Sequence, residues 1–155
     1  MRTIRNCVFE TNSSSCHVIT LMTPQEQKLV LEGKALIYAH SKHEDEANIA
    51  EVYDSIKFAK KMQEIFGDEL TEYKDALEEL WSNIRTDLKK HDMFKYSTFD
   101  EWAEKHGIEG TLYGKLEDFF CCCNHEEDNS YCVDNAKEIE IGGVKTLISS
   151  WESYC

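Results

Sequence analysis

A hydroxyl-rich stretch near the start of the chain contains the residue types best suited to chemistry. Glu10 and His17 bracket the run Thr11-Asn12-Ser13-Ser14-Ser15-Cys16. Serine, histidine and a carboxylate are the components of a Ser–His–acid hydrolase site. The catalytic candidates are therefore Glu10, Ser13, Ser14, Ser15 and His17. Hydrolase nucleophiles usually sit on a strained, glycine-rich turn, however, and no Gly precedes Gly33.

The same stretch has two interpretations without catalysis. Its hydroxyl and backbone N–H groups could hold a phosphate, which makes it a candidate nucleotide or small-ligand site, although it contains no Lys or Arg. The binding candidates are Glu10, Asn12, Ser13, Ser14, Ser15 and His17. Asn and Ser also favour turns, because their side chains hydrogen-bond to nearby backbone. The Thr11–Ser15 run then predicts a loop between antiparallel strands, with Phe9 and Val18 facing the core.

The segment from Arg5 to His17 resembles one found in small phage and prophage proteins of Gram-positive bacteria. The resemblance is carried by Val8-Phe9-Glu10-Thr11-Asn12-Ser13-Ser14-Ser15, followed after one residue by His17. It covers a small part of the 155 residues. It implies a phage-type accessory protein and brings no reaction with it.

A second cluster of reactive side chains is cysteine-rich. The chain has seven Cys, three of them consecutive, which is not the pattern of a disulfide framework. Zinc is held by four thiolate or imidazole ligands in a tetrahedron. The candidate zinc ligands are Cys121, Cys123, His125 and Cys132. Because a Cys-x-x-Cys knuckle is absent, free or buried thiols are the alternative.

Length and charge restrict the class of protein. A chain of 155 residues with one Pro predicts a single domain over residues 1–155. No apolar run is long enough to span a membrane, so we expect a cytoplasmic protein. The net charge of −13 repels nucleic acid and attracts basic surfaces. Acid-rich helices that are merely well solvated are the alternative explanation of that charge.

The positions of apolar residues predict the elements in the first two thirds of the chain. Thr23-Pro24 and Gly33 delimit a helix, and residues 35–39 form a strand. Two long helices follow, joined at Gly67-Asp68, and should pack as an antiparallel hairpin. Their apolar stripes are Ile49, Val52, Ile56, Ala59, Met62 and Phe66 in the first helix and Leu70, Tyr73, Leu77, Leu80, Ile84 and Leu88 in the second.

The last third predicts a short helix and a β-hairpin. Ser97-Thr98 begins a helix that ends at Gly107, whereas the 113–120 segment fits either a helix or a strand. Residues 137–141 alternate polar and apolar, and Gly142-Gly143 is a hairpin turn before a return strand. The fold class is therefore α+β, with an antiparallel sheet of N- and C-terminal strands packed against the helical hairpin.

Three functions fit these features, and binding is favoured over catalysis. The first is a phage-type accessory protein that inhibits a host nucleic-acid-handling or defence protein by covering its basic surface. The second is a nucleotide- or small-ligand-binding protein, or an enzyme, with its site at the Thr11–His17 loop. The third is an oligomerising domain with exposed Trp anchors, the candidates being Trp81, Trp102 and Trp151.

Overall fold

Five helices and five strands make up the described part of the computed structural model, which covers residues 15–38, 48–91, 94–123 and 133–154. The strands are β1 (Ser15–Met22), β2 (Leu36–Tyr38), β3 (Asn48–Tyr53), β4 (Lys137–Ile141) and β5 (Val144–Tyr154). The helices are α1 (Pro24–Leu31), α2 (Ser55–Phe66), α3 (Lys74–His91), α4 (Tyr96–Lys105) and α5 (Gly110–Phe120), with a 3₁₀ helix (Gly67–Thr71) between α2 and α3. None of these helices is long and apolar enough to cross a membrane.

The five strands form one sheet in the order β2-β3-β1-β5-β4. β1 and β5 pair antiparallel along their lengths, from Ser15 opposite Tyr154 to Met22 opposite Leu147. The α+β class is thus confirmed, as is a sheet shared by strands from both ends of the chain. One pairing departs from the predicted antiparallel sheet, because β1 and β3 run parallel.

Residues 48–53 form a strand and not the predicted start of a helix. Ala50 and Val52 are buried, whereas Ile49 and Glu51 are exposed, which is the two-residue period of a strand. The predicted helical stripe was wrong here because Ile49 and Val52 also fit a three-residue step. α2 begins only after Asp54, whose carboxylate accepts hydrogen bonds from the first free N–H groups of the helix.

The helical hairpin forms as an antiparallel pair of α2 and α3. Phe58 stacks on Trp81 with ring centroids 4.5 Å apart, and Phe66 lies 5.1 Å from Tyr73. Phe58, near the start of α2, contacts Trp81 within α3, whereas Phe66, at the end of α2, contacts Tyr73 just before α3. The two helices therefore run antiparallel. The second helix begins at Lys74 and not at Asp68, because the 3₁₀ helix occupies the intervening residues.

Two apolar clusters lie on opposite sides of the sheet at β2. Leu36 belongs to the larger cluster, which gathers the buried faces of α2, α3, α4 and α5. Its neighbour Ile37 belongs to the smaller one, which includes Val30 of α1 and the predicted core residue Val18. Adjacent strand residues point to opposite faces, so α1 and the other helices cover different faces of β2.

The short elements follow the predictions with two exceptions. α1 starts at Pro24 as predicted, and Thr23 and Glu26 add a capping box, with the Thr23 N–H donating to the Glu26 carboxylate at 2.8 Å. The 113–120 segment, for which both a helix and a strand were predicted as alternatives, lies in helix α5. β4 and β5 form the predicted hairpin. α4 has no side-chain cap, because its N-cap residue is Lys95, and the Thr98 hydroxyl inside the helix donates to Asp87. Ser15, predicted to lie in a loop, is paired in β1.

Candidate functional site

The predicted N-terminal site falls largely on residues that the structure does not describe. Glu10, Asn12, Ser13 and Ser14 lie outside the described residues, as does Phe9, which was predicted to face the core. The backbones of Ser15 and His17 are described, and they pair in β1 with Tyr154 and Glu152 respectively. Catalytic and ligand-binding roles for the Thr11–His17 stretch therefore stay predictions.

The cysteine cluster follows the C-terminus of α5. Cys123 is fully buried, and its Sγ–H donates to the Phe119 carbonyl at 3.4 Å. Burial raises the pKa of the Cys123 thiol well above its ordinary value, which disfavours the thiolate that zinc needs. Cys121 and Cys122 are half-buried, with their sulfurs 3.7 Å apart.

Two of the four predicted zinc ligands, His125 and Cys132, lie outside the described residues. Within the described ranges no group of three His, Cys, Asp or Glu side chains is arranged to hold a metal ion. The complete four-ligand site stays a prediction. Of the two predicted ligands that the structure describes, Cys121 and Cys123, Cys123 is a buried thiol.

An apolar groove of about 490 Å³ separates α2 from α3. Its floor is made of side chains that the hairpin packs together: Phe58, Ala59, Met62, Leu70, Leu77 and Trp81. Met62 and Leu77 lie on the predicted stripes, but Phe58 and Trp81 do not. Phe58 was missed because the predicted stripe ran through Ile56, which is 76% exposed. The volume lies within the roughly 300–1,000 Å³ range of small-molecule sites.

The two ends of the groove differ in their polar groups. Ser55, Ser82 and Arg85 line one end, where α2 begins. Lys74 lines the other end, beside the 3₁₀ helix. Within the described part, neither Lys74 nor Arg85 forms a salt bridge, although the chain is strongly acidic.

A cluster of carboxylates surrounds the turn between α2 and α3. Asp68, Glu69, Glu72 and Asp75, called here the acidic turn, are all exposed. Among the described residues none of the four has a salt-bridge partner. Asp75 lies in the first turn of α3, where negative charge favours the helix dipole. The other three repel one another at that end of the hairpin.

A smaller polar cleft of about 350 Å³ lies between α3 and α4. Glu79 joins the two helices, because it accepts hydrogen bonds from Lys105 and, at 3.2 Å, pairs with His106. The hydrogen bond from Lys105 lowers the pKa of Glu79 below its ordinary value. These groups satisfy one another, so the cleft is a structural contact between helices.

Of the tryptophans predicted to anchor an oligomer, Trp102 cannot do so. It is 2% exposed, and its indole N–H donates to the Ala76 carbonyl at 2.7 Å. Trp81 is half-buried in the wall of the groove, and the Trp151 side chain lies outside the described residues. The prediction failed for Trp102 because α3, α4 and α5 enclose it in the larger core.

Comparison of the chain with protein-family models, curated proteins and solved structures gives no match. Two features stand out in the described part, both on the α2–α3 hairpin: the acidic turn and the apolar groove.

Proposed function

We propose that the protein acts by binding, with the acidic turn docking on a basic surface of a partner protein. The observation that carries the proposal is that Asp68, Glu69, Glu72 and Asp75 are exposed together without cationic partners among the described residues. Such a patch gives up little internal electrostatic stabilisation when it meets a positive surface. Charge complementarity of this kind steers association and selects partners.

The partner class follows from charge and from the phage-like N-terminus. Proteins that handle nucleic acid present basic grooves for phosphate, and a compact acidic chain can occupy them. The net charge of −13 makes nucleic acid itself an unfavourable partner. The proposed role is a phage-type accessory protein that inhibits a host nucleic-acid-handling or defence protein in the cytoplasm of an infected bacterium.

The test compares two variants of equal net charge. In the turn variant, Asp68→Asn, Glu69→Gln, Glu72→Gln and Asp75→Asn remove four charges from the acidic turn. In the dispersed variant, Glu104→Gln, Glu109→Gln, Asp134→Asn and Glu140→Gln remove four exposed charges elsewhere. Each tagged protein is incubated with a Gram-positive bacterial lysate at low and at moderate salt.

We expect the parent and the dispersed variant to recover the same basic, nucleic-acid-binding protein, and recovery to fall at moderate salt. The turn variant should recover at least about tenfold less, since several interfacial charge pairs are lost. Equal recovery by both variants would place the interface elsewhere. Recovery of no basic protein by the parent would contradict the proposed function.

A further inference from the structure

The groove between α2 and α3 has the form of a site for an amphiphile. Phe58, Met62 and Leu77 are at most 7% exposed, so they form a fixed floor. Trp81 and Leu70 are half-buried and complete an apolar trough that is open to solvent. Residues 74 to 85 of α3 line the trough, a span of about 16 Å at 1.5 Å per residue. An apolar chain of that length would cover surface that is otherwise wet.

The polar groups show which end would hold a charged head. Ser55 lies one turn before Phe58, and Arg85 lies one turn after Trp81. Because Phe58 stacks on Trp81, Ser55 and Arg85 lie toward the same end of the groove, which Ser82 also lines. A guanidinium presents a planar fork that matches a carboxylate. The first free α2 amides already bond to Asp54, so the anion site consists of side chains.

The opposite end is unsuited to an anion. Lys74 is there, but it lies within the acidic turn, between Glu72 and Asp75. The electrostatic potential at that end is therefore negative. Lys74 can extend its ammonium into water while its methylenes cover the groove. Arg85 is therefore the cation better placed to hold a carboxylate, and the Asp54 carboxylate near its end is already bonded to the α2 amides.

We propose that this groove binds a single-chain amphiphilic carboxylate, such as a free fatty acid, with its chain along the floor and its carboxylate at Arg85, Ser55 and Ser82. The site is separate from the acidic turn, and the proposal does not rest on the docking function. The groove would be a ligand site in a protein whose surface otherwise repels anions.

Palmitate binding to the delipidated full-length protein tests the proposal, with isothermal titration for affinity and native mass spectrometry for stoichiometry. The parent should bind one palmitate. Arg85→Gln should weaken binding about tenfold or more, the change that corresponds to one lost charge-assisted hydrogen bond. Lys90→Gln, an exposed cation on α3 that does not line the groove, is the matched control and should bind as the parent does.

A second variant tests the chain-binding floor. Ala59 is exposed on the α2 side of the groove, so Ala59→Phe should fill the trough without unfolding the protein, as circular dichroism would verify. It should abolish palmitate binding. Absence of binding to the parent, unchanged binding by Arg85→Gln or Ala59→Phe, or weakening by Lys74→Gln in place of Arg85→Gln would overturn the proposal. So would a dimer in light scattering that Ala59→Phe converts to monomer, since a second copy would then occupy the groove.

Discussion

At the residue scale, Cys123 shows how burial decides the chemistry of a side chain. Its thiol lies beneath α5 with a hydrogen bond to the Phe119 carbonyl, and its backbone bridges to Tyr38. Desolvation raises its pKa first, and the nearby Cys122 and Cys121 raise it further. The same burial raises the pKa of the Tyr38 hydroxyl. The Cys123 thiol and the Tyr38 hydroxyl therefore stay neutral at physiological pH and act as core groups.

This burial predicts the order in which the three thiols react. We expect N-ethylmaleimide to modify Cys121 and Cys122 in the native protein about a hundredfold faster than Cys123, because Cys123 needs local opening before it is reached. Tandem mass spectrometry of timed samples gives the three rates. In guanidinium the rates should converge, which is the control. Native labelling of Cys123 at the rate of Cys121 would refute its burial.

At the element scale, the junction of α1 with α3 depends on one glycine. Gly33 ends α1 with φ of 62°, a conformation that side chains disfavour. A Cβ at this position would lie 3.1 Å from the Lys89 backbone nitrogen. The end of α1 can approach α3 this closely because residue 33 is Gly. Gly114, within α5, has open space around it and helical geometry.

The two glycines predict opposite effects of alanine. Gly33→Ala should lower the free energy of unfolding by about 1–2 kcal/mol or more, because it adds left-handed strain to a steric contact. Gly114→Ala should raise it by about 0.5–1 kcal/mol through the higher helix propensity of Ala. Urea unfolding followed by circular dichroism measures both. A neutral or stabilising Gly33→Ala would mean that α1 and α3 do not approach at this point.

Elements with local signals were predictable from the sequence, and the groove was not. Thr23-Pro24 and the pair Gly142-Gly143 act within a few residues, so α1 and the β4–β5 hairpin were identified. β3 was missed because its apolar residues fit two periods, and pairing with distant β1 decides between them. The groove forms because particular faces of α2 and α3 pack together. The stacking of Phe58 on Trp81 defines those faces, and it is visible only in the structure.

At the scale of the whole molecule, the α2–α3 hairpin carries both proposed sites and separates them. The acidic turn occupies one end, and the cationic end of the groove with Arg85 lies near the other. The sheet pairs β1 with β5, whose buried residues Val18 and Leu147 belong to the smaller core. Loss of charge at the turn should therefore leave palmitate binding unchanged, and filling of the groove should leave docking unchanged.

Carboxyl footprinting of the captured complex shows whether the acidic turn is the docking surface. Free protein and complex are treated with carbodiimide and glycine ethyl ester, and the modified positions are quantified by mass spectrometry. We expect the complex to protect Asp68, Glu69, Glu72 and Asp75, while Glu104 and Glu140 react as they do in the free protein. Unprotected turn carboxylates, or protection confined to Glu104 and Glu140, would contradict it.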